Sequence, residues 1–479
     1  MPFPYALPTT SSVQLSDFFS SLTHPSLPLT ATIKRSVVKD ALKKYKRLAG
    51  ASRESQLSLI RDALTAYIPY LLALNTASSF RDVGGQRVDV EVVKPLEVEW
   101  RTTLSAAALP GREAPRVKVI GLHLELAFVL STLGYVQCLL ARAQLKALYS
   151  ATAPSAEQRK VAVGTAMKQL LEAHGIWKFL LSLPSISAAK HAPVDIQPST
   201  VSALAALALA EANLIAFYHD DPYAAAVADT RDEQNTDWMF KSPTIPKVRA
   251  RVYATVCFGA ADHASQACGL LKGAGGKLDE SLIKYANDLR RTARAKGMRF
   301  LGVDTELAGE SGKAIAWLRG AKKELGFSSE MDEGKRKGLK GLKQSWQERR
   351  EDRKIEKGGE WGLDAGRYEE ARVVEMLEAK WEKENSTVNV QAVPPIEPLL
   401  ADIPSGREYH SQPPVWQPET LDAEAVASLE APPDPNQQGF RGAEDDSGDE
   451  AVYGQGAPVG AFPGTAAQYG RSGTSSSYY

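Results

Sequence analysis

Two glycine-rich segments that end in lysine come closest, among the residues of this sequence, to a spacing suited to phosphate chemistry. They are Gly273-Ala-Gly-Gly-Lys277 and Gly309-Glu-Ser-Gly-Lys313. A phosphate-binding loop needs its first glycine five residues before the last, and a serine or threonine after the lysine to bind magnesium. Neither segment meets either requirement, so we interpret both as loops or helix junctions.

A polar connector at residues 219–246 contains the second group of candidates. His219, Asp220 and Asp221 stand together, and Asp229 and Asp232 follow. Carboxylates gathered on one surface could bind a divalent cation, because magnesium and calcium prefer oxygen ligands. We favour an exposed connector over a metal site.

Nucleophilic and general-base residues show no catalytic spacing. Neither Gly-x-Ser-x-Gly nor His-Glu-x-x-His occurs. His174, His263 and Cys257 lie within helical apolar stripes, which is typical of packing residues. The sequence therefore indicates a non-enzymatic protein without catalytic residues, a cofactor, a metal or a small-molecule substrate.

Charge and cysteine content narrow the class of partner and the compartment. Basic and acidic residues number 57 each, which gives no global attraction to nucleic acid. From residue 415 onward there are ten acidic residues and two arginines, so an acidic tail follows a mildly basic body. Three cysteines without a Cys-x-x-Cys pair indicate a reducing compartment. With no signal-peptide pattern at the start, we expect a cytoplasmic protein.

Two neighbouring helices are predicted to form the centre of the molecule. Residues 201–218 are almost all small or aliphatic, and Glu211 within them would cost roughly 2.5–3.5 kcal/mol in a membrane. We therefore expect a buried helix rather than a membrane span. A second helix begins after Pro246 and places Val252 and Val256 one turn apart on one face.

The remaining pattern predicts a mainly α-helical chain with one small β-hairpin or sheet near the N-terminal part. Pro69 should kink or end the helix that contains it. Valines alternate with charged residues between positions 86 and 101, which predicts the hairpin. Residues 333–357 hold ten basic and five acidic residues, and a solvated helix face is favoured over a phosphate- or lipid-binding surface. Apolar stripes predict further helices near 37–48, 57–71, 122–140, 157–183, 282–289, 307–325 and 369–385.

Four ordered segments resemble Bro domains. They are Leu207-Ala-Leu-Ala-Glu-Ala212, Phe258-Gly-Ala-Ala-Asp-His263, Gly309-Glu-Ser-Gly-Lys-Ala-Ile-Ala-Trp-Leu-Arg-Gly-Ala321 and Trp381-Glu-Lys-Glu-Asn-Ser-Thr-Val388. Trp238-Met-Phe-Lys-Ser-Pro-Thr-Ile-Pro-Lys247 and Ile403-Pro-Ser-Gly-Arg-Glu408 resemble one branch of that family, the fungal regulators of the response to ambient pH. We therefore expect a Bro domain at residues 1–418 and a disordered Pro/Gly/Ser-rich acidic tail at 419–479.

The resemblance implies a boomerang-shaped helical body with a tetratricopeptide-like core and an adaptor role. Its expected partner is the C-terminal amphipathic helix of the ESCRT-III core filament subunit, bound in a groove by Ile215, Val252 and Val256, with Arg249 and Arg251 facing acidic residues. The branch implies recruitment of other alkaline-pH signalling components to plasma-membrane or endosomal ESCRT sites, with membrane association through partners. Three alternatives stay open: a generic helical-repeat scaffold with another client, a helical enzyme with a closed cavity lined with carboxylates, and an aliphatic stripe that belongs to the core.

Overall fold

The computed structural model describes residues 2–106, 114–149, 155–184, 192–218, 221, 223, 247–327, 362–410 and 413–432. Most of the polar connector at 219–246, the basic segment at 333–357 and the chain after residue 432 lie outside the described residues. The predictions made for those segments therefore stay predictions.

Helices dominate the described ranges, as the apolar periodicity predicts. The helices are α1 (Ser26–Arg47), α2 (Ala51–Glu54), α3 (Leu57–Ala77), α4 (Leu122–Lys146), α5 (Ala156–Ser182), α6 (Pro198–Ile215), α7 (Lys247–Lys272), α8 (Glu280–Leu307), α9 (Ser311–Leu325), α10 (Arg367–Glu384), α11 (Ile396–Leu400) and α12 (Ala423–Ser428). Both glycine-lysine segments lie at helix junctions: 273–277 between α7 and α8, and 309–313 at the start of α9.

Proline 69 does not end α3, although the sequence predicts a kink or a stop there. The helix runs eight residues further, to Ala77. Leu71, Leu74 and Ala77 beyond the proline are all buried. Their burial outweighs the roughly 3 kcal/mol that an interior proline costs a helix.

Consecutive helices pack against each other along the chain, as in helical-repeat proteins. From α3 to α10, each helix contacts the next one in sequence. Close approach is visible where Gly134 of α4 meets Trp177 of α5, since a Cβ added to the glycine would lie 2.6 Å from the indole.

Among the described residues, three helical stretches are long and apolar enough to cross a membrane, but 89% of the apolar window in Leu122–Lys146 and 78% of that in Pro198–Ile215 are buried in the body. Packing in the core accounts for the apolarity of these two helices.

Two small antiparallel sheets form instead of the predicted local hairpin. Strand β1 (Phe19–Ser20) pairs with β2 (Glu91–Val92), and β3 (Glu97–Arg101) pairs with β4 (Arg116–Ile120). The alternation correctly marks strand residues at 97–100, where Val98 and Trp100 are buried, whereas Val88 and Val90 are buried but lie outside the strands. The pairing prediction is wrong, because each strand finds its partner in a segment outside that stretch.

A buried polar cluster ties the N-terminal segment to the helices. Arg35 of α1 donates from Nε to Glu125 Oε1 of α4 at 2.8 Å, and from Nη2 to Thr10 Oγ1 at 2.6 Å. Trp100 of β3 donates from Nε1 to the other carboxylate oxygen of Glu125 at 2.5 Å. The charges of Arg35 and Glu125 are therefore paired within the core, as buried charges must be.

The packed body extends beyond the boundary predicted at residue 418. Leu421, Val426 and Leu429 are buried, and the backbone N–H of Ser26 donates to the carbonyl of Leu429 at 3.3 Å. Apolar residues within and beside α12 form a face that is buried against the body. The proline-rich composition around them hides this pattern in the sequence. The predicted boundary therefore falls inside a packed segment that continues to residue 432.

Candidate functional site

The surface of α7 carries the exposed part of the predicted docking patch. Val252 is 39% exposed, and Arg249 and Arg251 are exposed beside it. Ile215, at the end of α6, is 6% exposed, and Val256 is 2% exposed. Of the five predicted residues, Val252 and the two arginines therefore lie on the surface, whereas Ile215 and Val256 are buried.

Helix geometry explains why Val252 and Val256 differ. Residues four positions apart on an α-helix are offset by about 40° around its axis. Helix α7 packs against α6 on one side and α8 on the other. Because the exposed face of α7 is narrow, this offset places the Val256 side chain in the core, whereas Val252 lies at the edge of the exposed face.

A segment from the C-terminal part of the chain crosses α7 next to this patch. We call residues 403–408 the strap. The backbone N–H of Arg407 donates to the carbonyl of Thr255 at 2.9 Å, and His263 Nε2 lies 3.3 Å from Glu408 Oε1. Two glycines permit the crossing: a Cβ on Gly259 would lie 2.5 Å from the Arg407 carbonyl oxygen, and one on Gly406 would lie 2.6 Å from Gly259.

Helix α7, the end of α8 and the strap together line an open groove of about 750 Å³. Within the described chain, neither Arg251 nor Arg407 makes an ion pair with a carboxylate. The groove therefore combines an apolar residue, Val252, with two cationic side chains and one carboxylate. Its lining residues are Arg251, Val252, Thr255, Asp304, Pro404, Ser405, Gly406 and Arg407.

The strap, Thr255 and Asp304 are the site residues that sequence analysis missed. The motif at 403–408 is visible in the sequence as a branch feature, but it gives no sign of the helix it would contact. Asp304 lies about fifty residues after Val252, and only tertiary packing of α7 on α8 brings the two together.

The candidate metal residue Asp221 is not exposed, contrary to the interpretation of its connector. It is 1% exposed and accepts from Arg299 Nη2 at 2.5 Å, while Arg299 Nε donates to Glu370 at 2.6 Å. Burial lowers the pKa of Arg299, but the two carboxylates outweigh it and hold the pKa above its usual value. This cluster joins α8 and α10 to residue 221 and already contains its cation. Among the described residues, no group of histidine, cysteine and carboxylate side chains could hold a metal ion.

Buried titratable groups elsewhere fit packing roles. His174 is 9% exposed, its Nδ1 lies 2.8 Å from the Ala205 carbonyl, and burial lowers its pKa. Burial raises the pKa of the Cys257 thiol well above its ordinary value, which removes the thiolate needed for nucleophilic attack. Both observations agree with the sequence interpretation of these residues.

A buried carboxylate, Glu211, lies at the centre of α6. It is 2% exposed, and its Oε1 accepts from the Tyr285 hydroxyl at 2.5 Å and from the Phe3 backbone N–H at 3.3 Å. Burial raises the pKa of Glu211 to about 7, although the bond from Tyr285 opposes the rise. This side chain joins α6, α8 and the N-terminal segment inside the core and does not reach the groove.

Comparison with known proteins gives one close sequence relative. No family model matches the chain. The pH-response regulator protein palC of Emericella nidulans is 40% identical over 502 residues, which cover 97% of this chain and 99% of that protein.

Solved structures give the fold. The ALIX BRO1 CHMP4C complex has a TM-score of 0.50 at 14% identity and covers 88% of this chain and 96% of that chain. ALIX in complex with the SIVmac239 PYKEVTEDL late domain has a TM-score of 0.53 at 14% identity and covers 88% of this chain and 49% of that one. The mainly helical Bro domain fold that the sequence predicts is confirmed.

Proposed function

The chain belongs to the family of the pH-response regulator palC, and we propose that it is a non-catalytic adaptor that binds the C-terminal amphipathic helix of the ESCRT-III core subunit. In this role it recruits other components of ambient-pH signalling to ESCRT sites at the plasma membrane or on endosomes. It reaches those membranes through its partners. The solved complex of a chain of the same fold with CHMP4C supports an ESCRT-III partner.

The observation that carries this proposal is an exposed aliphatic side chain flanked by arginine at an open groove. Val252 and Arg251 lie on one turn of α7 and line the same groove. An amphipathic helix can lay its apolar face on such a surface and direct its acidic residues to the flanking arginines. Ile215 and Val256 contribute from beneath, by fixing the position of α7 against α6.

Binding of the full chain to a peptide of that ESCRT-III helix, measured by calorimetry, tests the proposal. We expect Val252→Asp to weaken binding at least about tenfold, because it places a desolvated charge against the partner's apolar face. Val37→Asp is the matched control, since Val37 is 52% exposed on α1, outside the groove. A folded wild type that does not bind would favour the helical-repeat scaffold with a different client.

The buried position of Ile215 gives the same experiment a second arm. Because Ile215 is 6% exposed, Ile215→Asp should lower the free energy of unfolding by about 3 kcal/mol or more. Thermal unfolding separates the two roles. A variant with an unchanged melting temperature and lost binding would instead place Ile215 in the contact surface.

A further inference from the structure

The strap has a fixed position on α7, so it forms a wall of the groove. The hydrogen bond from the Arg407 N–H to the Thr255 carbonyl holds its backbone against the helix. Close contact of Gly406 with Gly259 leaves no space for a side chain between them. The contact between His263 Nε2 and Glu408 Oε1, 3.3 Å apart, lies at the end of the crossing.

This placement puts one arginine on each of two walls of the groove. Arg251 comes from α7, and Arg407 comes from a segment about 150 residues later in the chain. Val252 and Thr255 also line the groove on the α7 side. The two arginines therefore face a common space that a single helix surface could not create.

The charges in this space are unbalanced within the described chain. Neither Arg251 nor Arg407 pairs with a carboxylate, and Asp304 supplies the one acidic side chain of the lining. A guanidinium group carries five N–H donors in a planar fork that fits a carboxylate. An acidic side chain between the two arginines would accept hydrogen bonds from both guanidinium groups. Its negative charge would also reduce the repulsion between the two positive charges.

We infer that the strap completes the docking surface, and that Arg251 and Arg407 hold an acidic side chain of the bound amphipathic helix while Val252 receives its apolar face. This inference rests on the proposed function and adds Arg407 as a residue that determines which helix is accepted. The acidic residue of the partner should stand three or four positions from its apolar anchor, because such residues are neighbours on one helix surface. Val252 and Pro404 are the apolar residues of the lining. We therefore expect the contact between the two arginines and the acidic side chain to contribute to the binding affinity.

The direct test measures binding of the full chain to the ESCRT-III helix peptide and to a second peptide whose acidic residues are replaced by amides. We expect Arg251→Ala and Arg407→Ala each to weaken binding of the acidic peptide about fivefold, and to leave the amide peptide unaffected. Arg81→Ala, at an exposed arginine after α3, is the matched control and should change neither. The fivefold effect should shrink at high salt, because exposed charge pairs are screened.

A second variant moves the strap without removing its arginine. Gly406→Ala places a Cβ 2.6 Å from Gly259 and 2.7 Å from an Asp262 carboxylate oxygen, so the strap must shift. We expect binding of the acidic peptide to fall as much as in Arg407→Ala. Gly164→Ala on α5 is the control, because a Cβ there meets nothing within 4 Å.

The outcomes separate this inference from the proposed function. A folded wild type that binds neither peptide would remove both. A wild type that binds, with Arg407→Ala and Gly406→Ala binding equally well, would remove the role of the strap alone. A concentration-dependent dimer that Arg407→Ala dissolves would place a second copy of the chain in the groove and would also overturn the inference.

Discussion

Replacement of Glu211 by glutamine should change how the free energy of unfolding depends on pH. Burial raises the pKa of this carboxyl from 4.5 to about 7 in the folded chain. A raised pKa means that the folded state holds the proton more tightly, so stability is highest below the unfolded pKa and falls as pH rises toward 7. Between pH 5 and pH 8, this one group should remove about 2–3 kcal/mol from the stability of the wild type.

Glu211→Gln has no proton to lose, and its amide oxygen can still accept from Tyr285 and from the Phe3 backbone. Urea unfolding followed by circular dichroism at both pH values gives the slope for each protein. The difference in stability between wild type and variant should shift by about 2–3 kcal/mol across that window, with the variant gaining stability relative to the wild type as pH rises. Glu280→Gln, at an exposed position, controls for loss of a charge. Equal slopes for wild type and Glu211→Gln would refute the reasoning.

Two further pairs of substitutions test the core. Gly134→Ala should lower the free energy of unfolding by about 1–3 kcal/mol, because the new Cβ lies 2.6 Å from Trp177. Gly164→Ala should raise the free energy of unfolding by up to about 1 kcal/mol, because open space surrounds that position. Urea unfolding of the two variants tests this contrast. Arg299→Met should cost about 3–5 kcal/mol, since it removes the hydrogen-bonding cation of two buried carboxylates and leaves them only Lys296, at 3.8 Å from Asp221 and 3.9 Å from Glu370. Arg294→Met on the same helix is 39% exposed and should cost well under half as much by the same assay.

The helices could be predicted from sequence because their information is local. Apolar residues at three- and four-residue spacing mark the long helices, and these helices bury most of that stripe in the structure, although Val37, Val161 and Leu307 are exposed. Pairing of strands is not local in the same way. The residues at 97–101 look like strand on their own, but nothing near them identifies 116–120 as the partner.

Burial of single residues within the predicted site was harder to predict for a related reason. A stripe on α7 shows which residues share a face, but the packing of α6 and α8 decides how much of that face is covered. Val252 and Val256 thus look alike in sequence and differ widely in exposure. Asp221 shows the opposite case. The polar residues around it in the sequence predict exposure to solvent, but a buried arginine far along the chain pairs with it in the core.

The fold and the proposed recognition of a partner depend on different residues in this molecule. The fold persists at 14% identity with solved Bro domains, so burial of apolar faces along the helices is sufficient to specify it. The groove depends on two specific positions, because Gly259 and Gly406 must both lack a side chain for the strap to lie on α7. A related chain with a larger residue at either position could keep the fold but could not place an arginine at position 407 beside the groove. The pair of glycines is therefore the sequence feature that should mark chains able to form the proposed docking surface.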